Sequence, residues 1–339
     1  MSDIDTFDEV DRRIACALQL QGRAPWEQIA KALELSERTV ARRGQRMLEE
    51  GLIRVVGVLD TQLIGRPAPV LLRLRVEPGR AREVAARFSG LPETRTVMAL
   101  MGSFDHFVEV VPESLTSLRS LLFDGLPPHI RSSSSHPVLR FYTGGHEWNG
   151  GALTATEEAA LRRPSRAPFG SRRGEVTLHP DADRMAALLA RDGRMPTSRL
   201  ASELGVSQAT ASRRLAALLE QEVVRVRADV APSLFGRSTE ALLWLNVDYD
   251  HLDTVGSTLS RRPEVLTLVS VAGDYQVCAH VALRDPYALQ EFLTGVVGAL
   301  GGVGEIDVTV LLEVFKRGGF AVTPAADQPP RTTRGGPAG

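Results

Sequence analysis

Two stretches carry arginines at a spacing suited to recognition chemistry. SERTVARRGQRMLEEGLIR begins at Ser36 and SQATASRRLAALLEQEVVR at Ser207, with the serine, a threonine three places on and an arginine pair in the same register. A serine ahead of a helical run is a good N-cap, because its hydroxyl oxygen accepts from N–H groups of the first turn. On a helix opened at Ser36, Val40, Gly44, Met47 and Leu48 share one face. Arg38, Arg42 and Gln45 lie roughly opposite, and Thr39, Arg43 and Arg46 fall on the flank. A helix fits the DNA major groove, where arginine bonds guanine O6 and N7 in bidentate fashion and flanking arginines hold phosphates. The candidate DNA-contacting residues are Ser36, Glu37, Arg38, Thr39, Arg42, Arg43 and Arg46 in one stretch. In the other they are Ser207, Gln208, Thr210, Ser212, Arg213 and Arg214. The competing reading is a solvated arginine face on an ordinary three-helix unit. The recurrence of cap, apolar stripe and basic face together, twice, weighs against it.

Such helices need partners that position them. Upstream, Val10, Ile14, Ala17 and Leu18 recur at helical spacing, and Trp26, Ile29, Ala30 and Leu33 form a second short stripe. Only LELS or LGVS joins the second helix to the third, the tight connection of a helix-turn-helix. Gly51 is suited to close the first basic helix, whereas Glu222 stands at the matching place in the second. Gly44, set against Leu215, should cost the first helix about 1 kcal/mol in propensity as well as packing, making it the less stable reader. Period-two runs follow: LIRVVGVLD, VLLRLRV, TVMALMG, FVEVV and VLRFY, with RAREVAARFSG and LTSLRSLLFDGL as helical stretches between them. Setting the first strand aside, the order is β-α-β-β-α-β, that of a ferredoxin-like sheet. The second half repeats it with ALLWLNV, LTLVSVAG, VCAHVAL and VTVLLEVF as strands and helices near Leu252 to Arg261 and Pro286 to Leu300.

The chain is therefore a tandem duplication. Gly22 and Gly193 differ by 171 positions, and the halves run in parallel at that offset to Gly102 and Gly273; it then becomes 174, aligning Gly144 with Gly318. The expected fold class is α+β: two copies of a (winged) helix-turn-helix domain, each followed by a βαββαβ ferredoxin-like domain. Boundaries are expected at 1–60, 61–145, 179–231 and 232–322, with a linker over 146–178 carrying one short helix at Thr154 to Leu161, and a disordered tail over 323–339. Each unit is long enough to fold on its own. Charged residues at 24% and a net charge of -1 exclude indiscriminate coating of nucleic acid but not a local basic face. Cys16 and Cys278 lie far apart in apolar surroundings and are expected buried and free, with neither a disulfide nor a zinc site. His106, His129 and His136 lack ligand spacing and are read as surface residues. No run approaches a membrane span and the acidic start lacks signal-peptide shape, so the expected location is cytoplasmic. No G-x-S-x-G, P-loop, Rossmann fingerprint or H-E-x-x-H offers a catalytic site, and no cofactor is expected.

The order and spacing of DRRI…LQLQGR, IAKALELSERTVARRGQRMLEEGLI, LIGR and the turns GSFD (Gly102 to Asp105) and GDYQ (Gly273 to Gln276) resemble the Lrp/AsnC family of transcription regulators over nearly the whole chain, twice. The resemblance implies a built-in dimer: two β domains pairing internally into a two-sheet sandwich, two basic helices addressing successive grooves of double-stranded DNA, and assembly of such chains into homo-oligomers. It also implies a small-molecule effector such as an amino acid near Gly102, Ser103, Phe104 and Asp105, and near Gly273, Asp274 and Tyr275. In that reading Asp105 receives the ammonium, a charge Gln276 cannot supply; the alternative is that both glycines serve only tight turns. Glu37 and Arg38 face Gln208 and Ala209, so an imperfectly palindromic operator is expected. Siroheme decarboxylase-like enzymes of the same superfamily are the alternative function. Their H-N-Y-x-R type strand is missing from RTVMALMGSFDH and VLTLVSVAGDYQ.

Overall fold

The computed structural model describes residues 7–144, 147–162, 176 and 179–322. The expected tail over 323–339 and most of 163–178 lie outside the described residues. In the first copy, α1 (Glu9–Leu20), α2 (Trp26–Leu33) and α3 (Glu37–Glu49) precede β1 (Ile53–Leu59). Then come β2 (Val70–Val76), α4 (Ala81–Ser89), β3 (Thr94–Met101), β4 (His106–Val110), α5 (Leu115–Phe123) and β5 (Ile130–Thr143). After α6 (Ala155–Leu161), the second copy gives α7 (Ala182–Arg191), α8 (Thr197–Leu204), α9 (Gln208–Glu220), β6 (Val224–Val230) and β7 (Thr239–Val247). It ends with α10 (Leu252–Leu259), β8 (Val265–Val271), β9 (Val277–Leu283), α11 (Pro286–Phe292), β10 (Val303–Arg317) and β11 (Phe320–Ala321). This is the expected α+β architecture in both halves.

The ferredoxin-like sheets have strand orders β5-β2-β4-β3 and β10-β7-β9-β8, and they do not stay separate. β5 pairs with β2 through Ile130 to Pro137 and then with β8 from Val138 onward. β10 pairs with β7 from Val303 to Val310 and then with β3 up to Lys316. Two long strands thus cross from one sheet to the other and close β10, β3, β4, β2, β5, β8, β9 and β7 into a ring. Inside lie Leu71, Met98, Phe107, Phe141, Leu242, Trp244 and Cys278. Outside, α4 and α5 cover one sheet through a core containing Val84, Phe88 and Leu118, and α10 and α11 cover the other through Val255, Leu259 and Phe292.

The strand after each helix-turn-helix pairs with its counterpart: β1 and β6 form an antiparallel ribbon with Val56 opposite Arg227. Period two divides its faces. Val55 and Ala228 join the first helical core, while Val56, Val58, Arg227 and Asp229 look into the ring. The first helical core is completed by Ala228, Val230 and Leu234 of the second copy, and the second by Leu63 of the first. Independent folding of each copy is thereby corrected: neither helix-turn-helix closes its core without a strand from the other. Gly22 and Gly193 sit where the copies cross, their N–H groups donating to Val226 O and Val55 O. A Cβ on Gly22 would stand 2.8 Å from Arg227 Cα, and one on Gly193 3.0 Å from the Val55 carbonyl carbon.

Three further expectations change. The segment read as a linker buries Trp148 and Leu161, and its helix α6, capped by Thr154, ion-pairs Glu157 with Arg13. His106 and His136 are buried, not on the surface; burial lowers both their pKa values, and His136 packs 4.8 Å from the Trp244 ring. Gly44 is not a packing loss, because the Trp26 ring fills the space, 2.5 Å from where its Cβ would be. The second copy makes the reciprocal choice, Thr197 with Leu215. Cys16 and Cys278 are buried and free, as expected.

Candidate nucleic-acid interface and effector site

The basic helices are built as their sequences require. Ser36 Oγ accepts from Thr39 N and lies 2.8 Å from Thr39 Oγ1, and Ser207 and Thr210 repeat both contacts. Val40, Gly44 and Met47 bury one face of α3; Ala211, Leu215 and Leu218 bury that of α9. Opposite, Ser36, Glu37, Arg38, Arg42 and Gln45 are exposed, with Thr39 half-buried. On α9, Ser207, Gln208, Ser212 and Arg213 are exposed and Thr210 is half-buried. Arg38, Arg42 and Arg213 form no ion pair among the described residues, so their guanidiniums are available to an outside partner.

The flanking arginines are engaged within the protein. Arg43 donates to Asp8 at 2.7 Å and to Asp11 at 3.1 Å, and Arg46 donates to Asp11 at 2.5 Å. Asp11 is fully buried at the start of α1, so two guanidiniums satisfy one buried carboxylate and clamp α3 onto α1. Arg214 makes the matching ion pair with Asp181 and approaches His179 Nε2 at 3.0 Å. Arg43, Arg46 and Arg214, expected as phosphate holders, thus also act as clamps within the protein. Arg43 and Arg214 directly follow the exposed Arg42 and Arg213, and local spacing could not separate the roles, because the acidic partners lie 32 to 35 residues away.

At the glycine turns the structure brings both copies together. Gly102 and Gly273 have positive φ, and Asp105 Oδ2 accepts from Val76 N at 2.7 Å. Gln276 Oε1 accepts from Val247 N at 2.9 Å in the same place, so a carbonyl oxygen suffices and the charge difference between the turns has no consequence for this job. Between the turns runs Arg73, buried in β2 and ion-paired to Asp307. Its guanidinium lies 3.9 Å from the Phe104 ring centroid, 4.8 Å from Trp244 and 5.1 Å from Tyr275, and Ser103 Oγ donates to Asp307 at 2.6 Å. Ser103, Phe104 and Tyr275 therefore close this end of the ring around an internal cation; Asp274 stays exposed.

The other end of the ring opens beneath the β1–β6 ribbon into a cavity of about 180 Å³. Charged side chains stand in otherwise apolar strands at its rim. Arg95 approaches Glu109 at 3.5 Å, Thr96 Oγ1 donates to Glu109 at 2.8 Å, and Arg317 and His280, which line the cavity, reach behind it to Glu240 at 3.1 Å and 2.9 Å. Burial alone would raise the Glu240 carboxyl, but Arg317 and His280 hold it down at about 2. Sequence reasoning passed over these residues, although the isolated polar positions in VCAHVAL and FVEVV were the available signal.

The helical segments 7–48 and 184–219 match the AsnC-type helix-turn-helix domain, and 69–145 and 240–319 match the Lrp/AsnC ligand binding domain. An HTH-type transcriptional regulator of Pyrococcus furiosus is 35% identical over 121 residues, 35% of this chain and 82% of the relative. The HTH-type transcriptional regulator FL11 of Pyrococcus horikoshii is 28% identical over 136 residues, 40% of this chain and 90% of its own length. Each relative spans roughly one of the two units. Among solved structures, the siroheme decarboxylase NirDL shares the fold over 91% of this chain and 93% of its own, with a TM-score of 0.60 at 15% identity. Among the described residues no helix is long and apolar enough to cross a membrane. With both domain types found twice in the same order, the chain belongs to the Lrp/AsnC family of transcription regulators as a tandem duplication of its unit.

Proposed function

We propose that this chain is a sequence-specific regulator that reads double-stranded DNA with α3 and α9 together and responds to a small-molecule effector in the cytoplasm. The observation that carries the reading is the pair of exposed, serine-capped basic helices tied to one ribbon, β1–β6, so that a single chain presents two readers in fixed relation. Ser36, Glu37, Arg38, Thr39 and Arg42 address one half-site; Ser207, Gln208, Thr210, Ser212 and Arg213 address the other. Since Arg38 has Ala209 as its counterpart, the half-sites differ and the operator is an imperfect palindrome. Chains of this kind further associate into homo-oligomers through their β domains. Selection of duplexes from a random pool, followed by footprinting, tests the reading. Two unequal half-sites are expected, and a perfect palindrome or the absence of any retained duplex at low salt would refute it.

A catalytic role on tetrapyrroles is the second reading, favoured by the likeness of the whole double unit to NirDL. One observation weighs against it: the strand containing Thr94 to Met98 lacks the histidine-rich motif. Titration with iron-uroporphyrin, followed by visible absorbance, separates the two: a regulator leaves the spectrum unchanged.

A further inference from the structure

The two copies meet about a pseudo-two-fold axis, and residues that are each other's counterparts face one another along it. Val56 and Arg227, 171 positions apart, stand directly opposite in the β1–β6 ladder. Deeper in the ring Arg73 and Trp244, separated by the same 171, are in contact, the guanidinium 4.8 Å from the indole ring. At both places one copy supplies an arginine and the other an apolar residue. The arginines come from different copies, Arg73 from the first and Arg227 from the second.

All four side chains are buried, so what faces each arginine decides whether its charge is tolerated. Arg227 donates to Ala228 O at 3.0 Å and to Trp148 O at 3.1 Å, and has Val56 opposite. Burial still pulls its pKa down to about 10. Arg73 ion-pairs with Asp307, which lies opposite Trp244 in the β7–β10 ladder. At the matching place in the β2–β5 ladder, opposite Arg73, stands Ser134. The acid that neutralises Arg73 is therefore supplied by the other copy, and the first copy has a serine in its place.

In a two-fold interface between like halves, each residue on the axis meets itself. A first copy paired with a first copy would set Arg73 against Arg73, with Ser134 where Asp307 should be. A second copy paired with a second copy would set Arg227 against Arg227 in the ribbon and leave two Asp307 carboxylates without a guanidinium. Both like pairings bury repelling or unpaired charge, and only the unlike pairing avoids it. We propose that Arg73 with Trp244 and Asp307, and Arg227 with Val56, form a selector that admits only a first copy against a second. The partner each β domain fits is then the other half of its own chain, where the tether makes the pairing intramolecular, and like halves of a second chain are refused. In the regulator reading this keeps the unequal helices α3 and α9 joined as one pair. The measurements that test the selector use no DNA, so the two readings fail separately.

Urea denaturation of the full chain measures the selector through two double-mutant cycles. Val56→Arg recreates in the ribbon what two second copies would meet, and should lower the folding equilibrium constant by about 100-fold or more. In the Arg227→Val background the same substitution should cost about tenfold or less, as should the uncharged Val56→Met in the native background, since Val56 borders the cavity and a longer side chain has room. Asp307→Ser recreates what Arg73 would meet between two first copies; it should cost about 30-fold or more, and about threefold or less when combined with Arg73→Leu. Equal costs in both backgrounds at either site overturn the selector. A Val56→Arg chain that does not fold by circular dichroism counts as the expected loss when Val56→Met and the Val56→Arg, Arg227→Val chain do fold; if these fail as well, the Asp307 cycle decides. Pairing itself is read with Val56→Cys, whose thiol meets its own equivalent only where two first copies pair. Such chains, unfolded in urea, refolded together over a range of concentrations and oxidised, should give no disulfide-linked pair. Linked pairs that grow with concentration would overturn the proposal.

Discussion

Replacing Arg42 or Arg43 by alanine, one position apart, should produce opposite phenotypes. Arg42 is exposed with no ion pair among the described residues, so Arg42→Ala removes nothing from the fold. If its guanidinium is bidentate to a base, the loss is about 1–3 kcal/mol, or roughly 5- to 150-fold in Kd. Arg43 instead bonds Asp8 at 2.7 Å and Asp11 at 3.1 Å. Charge-assisted bonds contribute about 1.5–3 kcal/mol each, but Asp8 is half-exposed and Arg46 still holds Asp11, so Arg43→Ala should cost about 2 kcal/mol of stability. For about 300 residues unfolding together, that corresponds to a drop of roughly 3 °C in Tm. Thermal denaturation and fluorescence anisotropy on a selected duplex across a salt series measure both quantities. The clamp assignment predicts an unchanged salt slope for Arg43→Ala, whereas loss of a phosphate contact would reduce the slope by about 1. An Arg43→Ala protein with wild-type Tm and a shallower slope would refute the reasoning.

Other outcomes follow from the pseudo-symmetry and from burial. Glu34 and Glu222 occupy left-handed backbone at φ 56° and 57°, where the opposite copies carry Gly205 and Gly51; Glu34→Gly and Glu222→Gly should each stabilise by about 0.5–1 kcal/mol in urea denaturation, less for Glu222, which ion-pairs with Arg225. Gly44→Leu should destabilise by about 1–3 kcal/mol through collision with Trp26, and Trp26→Thr in the same chain should recover most of it, which a two-by-two stability cycle measures. Burial lowers the folded-state pKa of His106 and His136 below 6.5, so the unfolded chain takes up protons first and stability falls as pH drops beneath about 6.5. His106→Leu should flatten that decline, by up to about 1.4 kcal/mol per pH unit, in denaturant titrations between pH 5 and 6.5.

Much of this was legible locally. Ser36 and Ser207 announce their helices because an N-cap is a short-range bond, and the apolar stripes behind Arg38, Arg42 and Arg213 follow from helical period alone. Duplication was visible for the same reason, residue by residue along one chain. The split between exposed and ion-paired arginines was not, since Arg43 and Arg214 are engaged by acids at the starts of other helices. Nor were the long strands: IRSSSSHP is polar and contains Pro137, and it becomes β5 only because β2 and then β8 offer it ladders.

The sequence by itself determined two serine-capped basic helices and two α+β units in order, through caps, turns and periods that depend on neighbours a few residues away. Tertiary structure alone decided that β1 joins β6, that β5 and β10 cross to close the ring, and that charged side chains in apolar strands meet at its two ends. Each of these is a contact between residues far apart in the chain, and its free energy comes from burying surfaces that no single copy contains.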